Sequence, residues 1–187
     1  YRRQRQMCIR DRFKLKDNKR RNFMKVTFKG KEVELIGTPP KVGDEMPNFT
    51  VLDKNKQEVT KDNLLGKNTL ISVVPDINTS VCSIQTKTFN KTMDQFPDVN
   101  FLTISTNTIK DQQNWCAAEG VKNMQLMSDE KLSFGKATGL LIPESGILAR
   151  SVWILEPNGK IVYREIVDEI THEPDYNTAV NELKKLL

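Results

Sequence analysis

Apolar and polar positions alternate along the chain in blocks that read as strands and helices. Leu70-Ile71-Ser72-Val73-Val74 has the length and β-branched content of a buried strand, and Pro75 stops it. Beyond the polar turn Asp76-Ile77-Asn78-Thr79-Ser80, Val81, Ile84, Thr88, Phe89 and Met93 recur at spacings of three or four. That period predicts a helix running to about Phe96, with Cys82 in its first turn. Residues 98–107 (DVNFLTISTN) repeat the buried-strand pattern, and residues 110–120 (KDQQNWCAAEG) read as a helix closed by a glycine. A short strand at Met124-Gln125-Leu126-Met127 and a helical or irregular run over 130–138 follow.

The flanks are simpler. Residues 24–36 alternate about Lys29-Gly30-Lys31, a hairpin pattern. Residues 37–47, with three prolines and two glycines, form an irregular connector. Phe49-Thr50-Val51-Leu52 and Gln57-Glu58-Val59 read as short strands, and 62–66 as a turn or helical piece. Residues 139–146 (GLLIPESG) are expected to be a loop. Residues 151–155 and 160–166 bracket Glu156-Pro157-Asn158-Gly159, a second hairpin. Residues 175–187 close the chain as an amphipathic helix with Tyr176, Ala179, Val180, Leu183 and Leu186 on one face. The order predicts an α/β domain in which a mixed central sheet is flanked by helices on both faces. This is the outline of a thioredoxin-like fold with an added N-terminal β-hairpin.

Charge changes the picture only at the N-terminus. The formal net charge is +5, but residues 1–23 hold ten Lys or Arg and two Asp, a local +8. The remaining 19 basic and 22 acidic residues leave the rest of the chain at −3. The basic character therefore belongs to a tail and not to the domain, with a basic arm for nucleic acid as the alternative reading of that tail. Residues 1–23 show no secretory-signal pattern and resemble adapter read-through. The expectation is a tail, disordered or a sequence artefact, ahead of a domain over 24–187 that starts at Met24. With Cys8 in the tail, Cys82 and Cys116 remain. No run reaches the roughly 20 apolar residues of a membrane span, and a soluble, cytoplasmic protein is expected. One histidine, His172, and no CxxC pair leave too few ligands for a structural zinc site. No metal or organic cofactor is expected.

The chemistry centres on Cys82. At the start of a helix a sulfur meets the positive end of the helix dipole and unpaired amide donors. Both favour the thiolate, which is the nucleophile. Thr79, three residues earlier, can turn its hydroxyl toward that sulfur, and Pro75 stiffens the entry. The plain alternative is an inert core cysteine acting as a small hydrophobe.

Pro75-x-x-x-Thr79-x-x-Cys82 resembles the PxxxTxxC signature of the peroxiredoxins. The string VCSIQTKTFN, a second cysteine 34 residues on in NWCAAEG, and LARSVWIL narrow the resemblance to the bacterial thiol peroxidases, the atypical two-cysteine type. The resemblance runs from about Met24 to the C-terminus. It implies that Cys82 is the peroxidatic cysteine, that its amide and the Thr79 hydroxyl hold the peroxide, and that Arg150 reaches the sulfur from a distant strand. A guanidinium suits that place because it stays charged and offers several donors in a fixed fork. Read without the family, Arg150 is a surface residue before a strand.

By the same resemblance, Cys116 resolves the sulfenic acid of Cys82 as an intramolecular disulfide after local unwinding, and thioredoxin reduces the bond. A free core thiol or a permanent disulfide are its alternatives. The family also implies a homodimer that accepts alkyl or lipid hydroperoxides and hydrogen peroxide, with 139–142 and Ile147-Leu148 as a substrate wall or a dimer contact. Many members carry proline where this chain has Ser80. Two rival functions stand beside this one. A thioredoxin-type dithiol oxidoreductase needs a second cysteine at the helix start, and a non-turnover peroxide sensor shares the first chemical step.

Overall fold

A computed structural model describes residues 23–121 and 125–187. The expected tail, with Cys8, lies outside them apart from Phe23, as does Met124 of the expected strand. A seven-stranded mixed sheet forms the centre. Its strands are β3 (Thr50–Leu52), β4 (Glu58–Thr60), β5 (Thr69–Val73), β6 (Asn100–Ser105), β7 (Leu126–Ser128), β10 (Ser151–Leu155) and β11 (Ile161–Ile166). The order is β11-β10-β5-β6-β7-β3-β4, with β5, β6 and β7 parallel and the other neighbours antiparallel. All five residues of β5 are buried, as a strand covered on both faces requires.

Alternation along the strands separates two cores. Ile71, Val73, Leu102, Ile104, Trp153 and Leu155 face the larger one. It is closed by α3 (Ser133–Thr138), by the hairpin β1 (Lys25–Phe28) and β2 (Lys31–Glu34), and by the connector through Met46 and Phe49. Leu70, Val152 and Ile154 face the other, under α1 (Ser80–Met93) and α4 (Tyr176–Lys184), where Phe89, Met93, Ala179 and Leu183 fill the gap. Ser105 also points to that side and accepts from Gln112 Nε2 at 3.1 Å, which seats α2 (Ile109–Glu119) beside α1. The helices therefore cover both faces, as the pattern predicts.

Three expectations are corrected. The loop over 139–146 is part of a small hairpin, β8 (Leu141–Ile142) paired antiparallel with β9 (Ile147–Leu148). Its apolar residues Leu140, Leu141, Ile142 and Leu148 lie inside the larger core, with the half-buried Ile147 packed against it. Only Pro143, Glu144 and Ser145 at the tip are exposed. Helix α1 ends at Met93, before Phe96, and is turned relative to its apolar period. Ile84 is 46% exposed, while Cys82, Gln85, Thr86, Phe89 and Met93 are buried.

Candidate active site

The site grows from the end of β5. The Val74 amide still reaches the Ile104 carbonyl at 3.0 Å, but buried Pro75 has no donor, and pairing with β6 stops there. The loop that follows is pinned by Asn107, just past β6. Its Oδ1 accepts from the Ile77 amide and its Nδ2 donates to Asp76 Oδ1, both at 2.9 Å. The same Asp76 oxygen accepts from the Asn78 amide at 3.0 Å. Thr79, in extended conformation, is the N-cap of α1.

Cys82 is the third residue of α1, so its amide is among those that the helix cannot pair internally. The residue is fully buried. Arg150 stands one residue before β10, on the same side of the sheet as Val152, and this register aims its side chain under α1. The whole residue is only 2% exposed. Nε donates to the Ile170 carbonyl at 2.8 Å, and one terminal nitrogen to Gln85 Oε1 at 2.7 Å. The other terminal nitrogen lies 3.2 Å from Cys82 Sγ. None of the ion pairs among the described residues involves Arg150. A buried cation without a carboxylate partner is costly unless another anion balances it.

Of the predicted residues, Cys82 and Arg150 meet, while Pro75 and Thr79 shape the corner. The expectation that the Thr79 hydroxyl turns to the sulfur is revised. The side chain is exposed, and its hydroxyl donates to the Asp76 carbonyl at 2.9 Å. With its proton committed, the oxygen can only accept from a ligand. Cys116 is half-buried near the C-terminal end of α2, against the small cluster of Val74, Ile77, Cys82, Trp115 and Leu126. Both cysteines are free thiols. Burial pushes the Cys116 thiol up, and Lys54 pulls it partly back. Gly120 ends α2 in the left-handed conformation, and the Val121 amide caps the Cys116 carbonyl at 3.0 Å.

A cavity of about 620 Å³ opens between the two cysteine-bearing helices. Thr79, Ser80, Ser83 and Ile84 line one side, and Trp115 and Ala118 the other. Lys87 of α1 and Glu119 of α2 form an ion pair that links the two helices. Among the described residues no group of His, Cys, Asp or Glu is arranged to hold a metal ion, and no helix is long and apolar enough to cross a membrane. His172 is exposed.

Two residues that matter here carried no apolar signal. Gln85 fixes the guanidinium from α1, and its Nε2 donates to Ser72 Oγ at 2.8 Å, which orients the amide. Only its place on the face of Cys82, one helical turn on, marks it in the sequence. Asn107 has a weaker mark still, a polar residue ending a buried strand.

A single sulfur at a strand-to-helix corner, faced by a buried guanidinium on a thioredoxin-like sheet, defines a thiol-based redox protein. The family model described as Redoxin matches residues 41–180. A thiol peroxidase of Listeria innocua is 47% identical over 161 residues, covering 86% of this chain and 98% of its own. One from Bacillus subtilis is 44% identical over 163 residues, covering 87% and 98%. The solved structure of a peroxiredoxin-like protein from Aquifex aeolicus superposes with a TM-score of 0.81 at 34% identity, over 87% of this chain and 97% of its own. The chain belongs to the redoxin family, among its thiol peroxidases, enzymes that reduce peroxides with a cysteine thiol.

Proposed function

We propose that Cys82 reduces hydroperoxides and that Cys116 resolves the product. The Cys82 sulfur attacks one peroxide oxygen, an S–O bond forms as the O–O bond breaks, and the other oxygen leaves with a proton as an alcohol or water. Cys82 is then a sulfenic acid. The Cys116 sulfur displaces its hydroxyl as water, giving an intramolecular disulfide. A dithiol protein of thioredoxin type returns both thiols by exchange. The observation that carries this reading is the 3.2 Å contact between the Arg150 guanidinium and Cys82 Sγ, in a pocket where no carboxylate among the described residues pairs with Arg150. A fixed cation there stabilises charge that moves from sulfur to the leaving oxygen.

Thr79, its hydroxyl already donating to the Asp76 carbonyl, accepts from the peroxide O–H, and the Cys82 amide donates to the other oxygen. Pro75 keeps the corner from pairing onward with β6. Ile84 and Trp115 give the adjoining cavity an apolar wall suited to alkyl or lipid hydroperoxides, with hydrogen peroxide as the minimal substrate. By family resemblance the working form is a cytoplasmic homodimer, which sedimentation of the reduced protein tests. Stopped-flow assays on Cys82→Ser and Cys116→Ser test the roles. The first is expected to lose all peroxide consumption, and the second to complete one oxidation and stall. Full activity in Cys82→Ser overturns the assignment. Consumption of a single equivalent with a thioredoxin system present identifies a sensor instead of a catalyst.

A further inference from the structure

The guanidinium of Arg150 has three acceptors, and one of them is set from outside the sheet. Nε donates to the carbonyl of Ile170, a buried residue in the segment after β11. That segment is held by the N-terminal hairpin. The Ile170 amide donates to the Thr27 carbonyl at 2.9 Å, and the Thr27 amide to the Asp168 carbonyl at 2.6 Å. Between them, Glu169 grips the hairpin turn. Lys29 and Gly30 both have positive φ, 51° and 76°, the conformation of a tight hairpin turn whose successive amides converge on an anion. Lys29 N donates to Glu169 Oε1 and Gly30 N to Oε2, both at 3.0 Å. Thr171 closes the grip, its hydroxyl donating to Oε1 at 2.7 Å and its amide at 3.2 Å. Hydrogen bonds from Thr171, Thr27 and Gly30 hold the Glu169 carboxyl well below the usual range, so it is ionised wherever the enzyme works.

We infer that Glu169 is a positioning residue for the peroxidase reaction: by locking residues 168–171 onto the Lys29-Gly30 turn it fixes the Ile170 carbonyl, and through it the Arg150 guanidinium at Cys82. The hairpin thereby acts on the site at a distance, through the segment 168–171. A carbonyl free to drift lets the guanidinium rotate about its remaining bond to Gln85 and lengthens its contact with sulfur. The inference rests on Cys82 as the attacking cysteine.

The test is a double-mutant cycle on single-turnover peroxide consumption in the Cys116→Ser background. Glu169→Ala is expected to slow the bimolecular step about tenfold. Glu169→Gln, which keeps one oxygen acceptor for the turn, is expected to slow it less. In an Arg150→Lys background, where no Nε remains to reach Ile170, Glu169→Ala is expected to have no further effect. Disulfide formation, followed with Cys116 restored, is expected to be unchanged. Equal slowing in both backgrounds means a general structural role, and no slowing in either means no role; each overturns the inference. If Glu169→Ala does not fold, the Glu169→Gln cycle decides alone. Peroxide consumption by Cys82→Ser, run beside these, marks failure of the underlying site assignment instead.

Discussion

Replacing Arg150 with methionine separates the chemistry of the site from its stability. The side chain has similar volume, so the pocket stays filled, but three donors and a charge vanish. At 3.2 Å a unit charge beside a sulfur anion is worth about 5 kcal/mol at an effective dielectric near 20. Loss of one preorganised donor to developing charge costs about 3–4 kcal/mol of barrier in comparable sites, or 10²–10³ in rate. The smaller figure sets the rate, because only the part of the attraction that differs between reactant and transition state lowers the barrier. Folding stability behaves differently. The Gln85 and Ile170 oxygens lose their partner, yet the cost of burying a cation without a carboxylate disappears, and these changes oppose each other. Arg150→Met is therefore expected to oxidise Cys82 some hundredfold to a thousandfold more slowly while unfolding within about 2 kcal/mol of the parent. Arg150→Lys keeps the charge but not the fork, and falls between. Stopped-flow oxidation in the Cys116→Ser background, at several peroxide concentrations, gives the bimolecular constant, and urea unfolding gives the stability. A folded Arg150→Met protein that reacts within threefold of the parent refutes the argument.

Other outcomes follow from the same geometry. Burial pushes the Cys116 thiol up, and attack requires the thiolate, so disulfide formation is expected to quicken about tenfold per pH unit through pH 8 and beyond; a plateau below that pH contradicts it. Asp129, buried four residues before α3, has its carboxyl pushed up to about 6 by burial, against the pull of the Gly135, Phe134 and Ser133 amides and of Lys136. The unfolded chain gives up this proton near pH 3.9, before the folded one does. Stability therefore falls by about 2–3 kcal/mol as pH rises from about 4 to 6. Asp129→Asn is expected to flatten that slope in urea unfolding, and an unchanged slope rules the account out. A Cβ on Gly135 meets Leu148 Cδ2 at 2.6 Å and Leu141 Cβ at 3.2 Å. Gly135→Ala is expected to cost about 1–3 kcal/mol with little change in the peroxide rate, because α3 and the sulfur lie on opposite faces of the sheet; calorimetry beside the kinetic assay checks both halves.

Most strands were readable because they are short β-branched runs or halves of a hairpin about a marked turn. Cys82 and Thr79 were readable because their spacing fixes them to the first turn of a helix that a proline-stopped strand must precede. What escaped was the facing of that helix. The period through Val81, Ile84 and Thr88 points an apolar stripe inward, yet the sheet beneath presents Ser72, and a buried guanidinium needs oxygen. The inward face of α1 is consequently Gln85 and Thr86, and Ile84 turns to the cavity. The segment 139–148 misled for the opposite reason. Glycines at both ends suggested a loop, whereas its leucines and isoleucines contribute to the larger core. Arg150 was visible only through family resemblance, since nothing local distinguishes it from a surface arginine. Its partners Gln85 and Ile170 are far from it in sequence and adjacent only in the folded chain.

The two tryptophans occupy different neighbourhoods, and this gives the molecule a built-in optical readout. Trp153 is fully buried in the larger core, its indole donating to Ser151 Oγ at 2.9 Å, on the other face of the sheet from the cluster that holds Cys82. Trp115 adjoins Cys116 and packs with Cys82 in the small cluster. Emission from Trp153 should stay constant through the cycle while that from Trp115 follows each oxidation and reduction, so both sulfurs can be watched in real time without attaching a dye.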